Sequence, residues 1–285
     1  MAEKVIYKLK GHEKFALREG WVNKGIKASI EHTPHIFLES KGADVLGVGT
    51  NMVKSIRYWM QACKLLIKDG NNEKISDLSK VIFEKDPYLE DIFSIWLLHS
   101  NLVKNRDVAT VWYMFFNSFK ADEFSRSDLF KQMKQELFKF VGKQVTESSV
   151  EGDIDVLLNM YSKGELKNDD PEDKNICPLA SLGLIKKEDE IFVKKQPDLR
   201  KVSDTLILYE LSIMFDHEKS LSIETIATGE RSLGAIYHLS RVSINRYLDS
   251  LETKGFIRVD RTAGLDVVYP VKLGNPIEII NGYYK

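Results

Sequence analysis

Cysteine is nearly absent. Only Cys63 and Cys177 occur in 285 residues, which excludes a disulfide-stapled scaffold and a set of zinc fingers. Long apolar runs are missing too. The best, "IFSIWLL" (Ile92 to Leu98), falls far below the roughly 20 residues that span a bilayer. The opening "MAEKVIYKLKGHEKF" has no apolar core of a signal peptide. A reducing, cytoplasmic setting without a membrane is therefore expected. An excess of one charge is also lacking. The net charge of −1 excludes a polycation, so any nucleic-acid site must come from local clustering.

What is present is ordinary globular material: 43% hydrophobic and 29% charged residues. The length suffices for two or three small domains. Charge is uneven, however. Residues 1–70 hold 12 Lys and Arg against 7 Asp and Glu, a surplus of +5, and the remainder sums to −6. A basic head on an acidic body points to a polyanion partner at the N-terminal end.

The pattern along the chain is mostly α with small β-hairpins, in three regions: 1–75, 76–200 and 201–285. "KVIYKLK" alternates like a short strand. "FLESKGADVLG" reads as a short helix, and Thr50 is expected to cap a long helix reaching about Ile67. "KDGNNEK" is a turn cluster. "DPYLEDIFSIWLLHSNLV" predicts a helix with Asp86 as N-cap and Pro87 at its first position. "DVATVWYMFFNSF", "SRSDLFKQMKQELFKFVGKQ" (capped by Ser125 or Ser127) and "EGDIDVLLNMYSKG" follow as helices. "ELKNDDPEDKNICP" is a polar linker, and "LGLIKKEDEIFVKKQ" a hairpin. No solenoid-period repeat is visible.

The helix from Thr50 divides at about 100° per residue into two opposed arcs. Val53, Ile56, Trp59, Met60 and their neighbours form the apolar one. Asn51, Lys54, Arg57, Tyr58, Gln61 and Lys64 form the other, which contains no acid. A merely solvated face usually mixes in Glu or Asp, so this one is assigned to DNA contact, with Lys14 beside it. The preceding "GADVLGVG" supplies the short helix and turn of a helix-turn-helix. The same glycines fail as a phosphate loop. G-x-G-x-x-G needs Gly at position 52, which is Met52, and no Gly-Lys-Ser/Thr follows.

At the other end, Ile244, Tyr247, Leu248 and Leu251 line one face of a helix. Gly255 ends it, and "FIRVDRTAGLDVVYPV" makes two strands around a turn at Ala263–Gly264. This order resembles a winged helix-turn-helix over about residues 203–271. By that resemblance Arg241, Asn245 and Arg246 would reach base edges, and Arg258 and Arg261 phosphates. Asp249, Glu252, Asp260 and Asp266 would repel phosphates, which suits the alternative of a protein-contact winged helix.

Signals for catalysis are sparser. "GHEK" offers His12 as general base, with Glu13 beside it and Arg18 to stabilise a pentavalent phosphate. "DPYLED" holds three acids, but Asp86 reads first as a cap. Asp153 and Asp155 with Glu165 and Lys167 mimic a D…ExK nuclease motif, although that motif sits on strands and this segment looks helical. "EHTPH" (Glu31, His32, His35) lacks zincin spacing. His99 reads as a satisfied core histidine.

"GHEKFALREGWVNKGI", "LGVGTNMVKSIRYWMQA" and "DPYLEDIFSIWLLHSNL" together resemble the SspB-type family encoded in bacterial DNA-phosphorothioation and related antiphage defence islands, over about residues 7–275. The resemblance implies action on duplex DNA beside a cysteine desulfurase, an ATPase and a DndC-like sulfur-activating enzyme. It implies nicking during sulfur insertion. Mg2+ or Mn2+ is the candidate metal, and a homodimer is a candidate state. A transcription regulator of such an island and a non-catalytic adaptor for the sulfur-transfer enzymes are the rival functions. No metal ligands are assigned.

Overall fold

The computed structural model describes residues 5–162 and 177–285. Its backbone gathers into two units, Met1–Lys195 and Gln196–Lys285. Region 1–75 and all of region 76–200 except its last five residues, 196–200, lie within the first.

Among the described residues, 5–10 do not form the strand expected of "KVIYKLK". Their backbone instead bonds to side chains far along the chain: the Lys8 N–H donates to Thr110 Oγ1, and the Lys10 N–H to Asp153. Helix α1 (Trp21–His32), a 3-10 turn (Pro34–Leu38), α2 (Gly42–Leu46) and α3 (Thr50–Ala62) follow, then a hairpin of β1 (Leu66–Asp69) and β2 (Asn72–Ile75). Gly47 ends α2 at φ 62, a left-handed position that costs glycine little.

Two boundaries of α3 differ from the sequence pattern. Gly49 occupies the N-cap and Thr50 is the first helical residue, with no side-chain cap. The helix also stops at Ala62. The Leu65 N–H reaches back to Met60 O, and Lys64 takes a positive φ, so Leu66 and Ile67 leave as β1. The apolar arc is buried as its spacing requires: Val53, Ile56, Trp59 and Met60 are each at most 3% exposed.

The remainder of the first unit adds α4 (Asp77–Lys85), α5 (Ile92–Lys104), α6 (Thr110–Asn117), α7 (Arg126–Val141) and α8 (Glu147–Ser162). α4, capped by Ser76, adds a helix that the sequence pattern does not single out. The cap of α5 is Asp91, which accepts the Phe93 N–H at 2.9 Å, and not Asp86. Asp86 is buried and accepts the Glu90 and Asp91 N–H groups, closing the turn ahead of the helix. Ser125 caps α7 in a reciprocal box with Asp128. β4 (Ile185–Glu188) and β5 (Ile191–Lys194) form the expected hairpin, and β3 (Glu123–Ser125) adds a third strand beside β5. Residues 165–176 of the expected linker, with Gly164, lie outside the described residues. Its last two, Cys177 and Pro178, belong to the fold: Cys177 is buried and Pro178 begins a 3-10 turn.

Lys194 carries a pH signature. Its ammonium lies over the rings of Phe115 and Phe119 and donates to Phe119 O. Burial lowers its pKa from 10.5 to about 8. The folded protein then binds fewer protons than the unfolded chain between those values, so stability should rise with pH across about 8 to 10.5 and level off above. The expected gain is on the order of 3 kcal/mol. Urea unfolding of wild type and Lys194→Met across that window checks it, since the variant should lose this rise.

The second unit comprises α9 (Asp204–Met214), β6 (Leu221–Ser222), α10 (Ile223–Thr228), α11 (Leu233–Tyr237), α12 (Arg241–Thr253), β7 (Ile257–Asp260), β8 (Val267–Pro270) and α13 (Pro276–Tyr283). The sheet runs β6-β8-β7, antiparallel throughout. Ser240 caps α12, whose Ile244, Tyr247, Leu248 and Leu251 are buried. Gly255 releases the chain at φ 76. Helix α12, the glycine stop and strands β7 and β8 follow in the order read from the sequence. β6 adds a strand beside β8, and α13 packs on α9.

Candidate nucleic-acid interface

The polar side of α3 is assembled from three segments. Lys54 is exposed, 3.4 Å from the Asn51 side chain. Lys64 is exposed just beyond the helix. Lys8, which the sequence pattern did not single out, joins from the N-terminal segment. Its ammonium lies 5.2 Å from the Tyr58 ring centre and 3.4 Å from Gln61 Oε1. Burial lowers the Lys8 pKa, the Arg57 charge lowers it further, and Glu73 opposes both.

Glu73 is the second addition. The helix itself offers no acid on this side, but β2 folds back and sets Glu73 against it. Arg57 Nε donates to Glu73 at 2.9 Å, and Gln61 donates to its other oxygen. Glu73 is 16% exposed and Arg57 30%, so the pair is partly shielded from water. Tyr58 does not reach the surface expected for it. It is 2% exposed, packed edge-on against Trp59 at 4.8 Å, and burial pushes its phenol well up. The chain runs across this ring at Gly11, where an added Cβ would sit 2.4 Å from Tyr58 Cδ2.

His12 points inward. It is 0% exposed, with Nε2 2.8 Å from Asp153 Oδ1 and Nδ1 accepting the Lys14 N–H at 3.0 Å. Those partners fix the ring proton on Nε2. The same Asp153 oxygen accepts the Lys10 N–H. The ring stacks on Trp59 and meets Tyr58 and Trp112 edge-on. Both nitrogens are thus committed within the interior, which leaves none to take a proton from a bound water.

Glu13 and Lys14 are exposed, with φ 49 and 68. The Arg18 guanidinium lies over Phe15 and Trp21. No hydrogen bond or ion pair joins the side chains of His12, Glu13 and Arg18 among the described residues, so the expected trio does not meet in a cleft. Asp153 belongs to the His12 pair, and Asp155 is bound by Arg126 in a two-pronged contact. Glu165 and Lys167 lie outside the described residues. His99 is buried and bonded to the Tyr161 hydroxyl at 2.7 Å, as a core histidine should be. Among the described residues, no three His, Cys, Asp or Glu side chains cluster as metal ligands. None of the described helices is long and apolar enough to cross a membrane.

In the second unit, the outward cations of α12 and the wing are mostly engaged within the same face. Arg241 bonds Glu224 at 2.8 Å and Asp266 at 3.3 Å. Arg261 bonds Asp249 at 2.7 Å and Asn245 at 3.2 Å, while the Asn245 amide donates to Arg241 O. The Arg258 guanidinium lies 4.6 Å from the Tyr269 ring centre. Arg246 is exposed and has no ion-pair partner among the described residues.

The family model described as "Protein of unknown function (DUF4007)" matches residues 9–284. No curated protein matches the chain. Two solved structures share its fold. One is described as a magnesium ion-bound SspB crystal structure, 22% identical, with a TM-score of 0.87 over 97% of this chain and 88% of that one. The other, an SspB crystal structure, is 22% identical with a TM-score of 0.85 over 99% and 89%.

Proposed function

The chain belongs to the DUF4007 family, and from that premise we propose that it is the DNA-holding component of a bacterial DNA-phosphorothioation system and serves strand nicking for sulfur insertion. The observation that carries this reading is the SspB fold across nearly the whole chain. The cationic side of α3, with Lys8, Lys54, Arg57 and Lys64 and with Glu73 set against Arg57, supports phosphate contact by the first unit. Asn51 and Gln61 add amides at the same side, and Arg246 and Arg258 remain available in the second unit. A cysteine desulfurase, a DndC-like enzyme and an ATPase are the proposed protein partners.

Among the described residues no three His, Cys, Asp or Glu side chains cluster as metal ligands, and both nitrogens of His12 are engaged. One specific observation favours a second reading for the C-terminal unit alone. Arg241 and Arg261 are neutralised by acids of their own face, which suits a protein-docking adaptor better than a phosphate clamp.

Supercoiled plasmid incubated with the purified protein and Mg2+ or Mn2+ should accumulate open circles. Absence of relaxation together with tight binding to one operator-like sequence would instead establish a regulator. Absence of both would leave the adaptor.

A further inference from the structure

Helix α7 has one apolar stripe, which the fold uses, and Phe130 and Phe138 lie outside it. Leu129, Met133 and Leu137 are at most 1% exposed and face the core. Phe130, Lys134 and Phe138 recur at i, i+4 and i+8 along a second line. With Val145 beyond the helix end, this line borders an open cavity of about 620 Å³. Phe138 is 51% exposed, a large cost for an aromatic ring unless something covers it. Lys131, Lys134 and Lys139 rim the cavity, and none of its lining residues is an acid. Lys134 and Lys139 are held by Glu147 and Glu136. Lys131 has no ion-pair partner among the described residues.

We propose that this groove docks an acidic amphipathic helix of a partner protein. Phe130 and Phe138 stand about 12 Å apart along the helix axis, matching apolar residues two turns apart on an incoming helix. Lys131, the rim lysine with no ion-pair partner among the described residues, calls for a glutamate or aspartate flanking those anchors. A nucleic-acid strand is the less suited occupant. Two of the three rim lysines are already held by Glu147 and Glu136, which leaves little charge to follow a phosphate backbone, whereas the two phenylalanines suit apolar anchors.

The test uses the full chain and a fluorescein-labelled synthetic helix of about four turns, with leucines at i, i+3, i+4 and i+7 and glutamates elsewhere. Fluorescence anisotropy should rise saturably. Phe138→Ala and Lys131→Glu should each weaken binding about tenfold, and Phe138→Leu should largely retain it. Phe138 is surface-exposed, so unchanged circular dichroism is expected for its variants. Absence of saturable binding would overturn the proposal, as would binding indifferent to Phe138→Ala. A single-stranded oligo-dT probe whose binding depends on Phe138 would also overturn it and reassign the groove to nucleic acid.

Discussion

Replacing His12 by alanine should cost about 3–5 kcal/mol of stability, the usual penalty for removing one member of a buried hydrogen-bonded pair. The physical origin is specific. Asp153 is 1% exposed and would keep only the Lys10 N–H on the oxygen His12 shares. The Lys14 N–H would lose its acceptor. A ring-sized gap would open beside Trp59 and Trp112. Asp153→Asn, whose side-chain oxygen still accepts both N–H groups, should cost only about 1 kcal/mol. Urea unfolding followed by tryptophan fluorescence reads both. The result separates two roles for His12. A general base would give an alanine variant that is folded and inactive. The buried pair predicts that any loss of plasmid nicking tracks the unfolded fraction. A urea midpoint unmoved by His12→Ala would refute the structural role.

The second large effect concerns salt. If Lys54, Arg57 and Lys64 each meet a phosphate, replacing all three by alanine should flatten the slope of log affinity against log salt by about 2.7, some 0.9 per contact. Glu73→Gln should act in the opposite direction. It releases Arg57 from its ion pair, and duplex binding should tighten by up to about 1 kcal/mol, the worth of a partly exposed pair. Titrations at several salt concentrations decide it. A triple variant with the wild-type slope would remove α3 from the DNA interface.

The sequence pattern made some features readable and hid others for identifiable reasons. Helical periodicity located α3 and α12, because an apolar arc at 100° spacing is a local signal. The wing of the second unit was readable from a glycine stop followed by two short apolar runs. β3 and β6, with three and two residues, are too short to show an alternation. Their existence depends on a partner strand distant in sequence. The arcs of α3 misplaced Tyr58 because a phenol counts as polar in a pattern, while most of its surface is ring. They also missed Glu73, which reaches the helix only after a hairpin reverses the chain. Asp86 and Asp91 are both plausible caps by composition, and only the backbone path decided for Asp91. His12 carried the chemistry of a base in the sequence. What cancels that chemistry, Asp153, lies 141 positions further on.

That separation has a consequence for synthesis. At roughly 5–20 residues per second, about 7–28 s pass between the emergence of His12 and that of Asp153 from the ribosome. For much of that interval α1, α2 and α3 are already made, yet the imidazole beside Trp59 has no acceptor for its proton. The N-terminal end is translated first and completed late, so it depends on α8 before it can close.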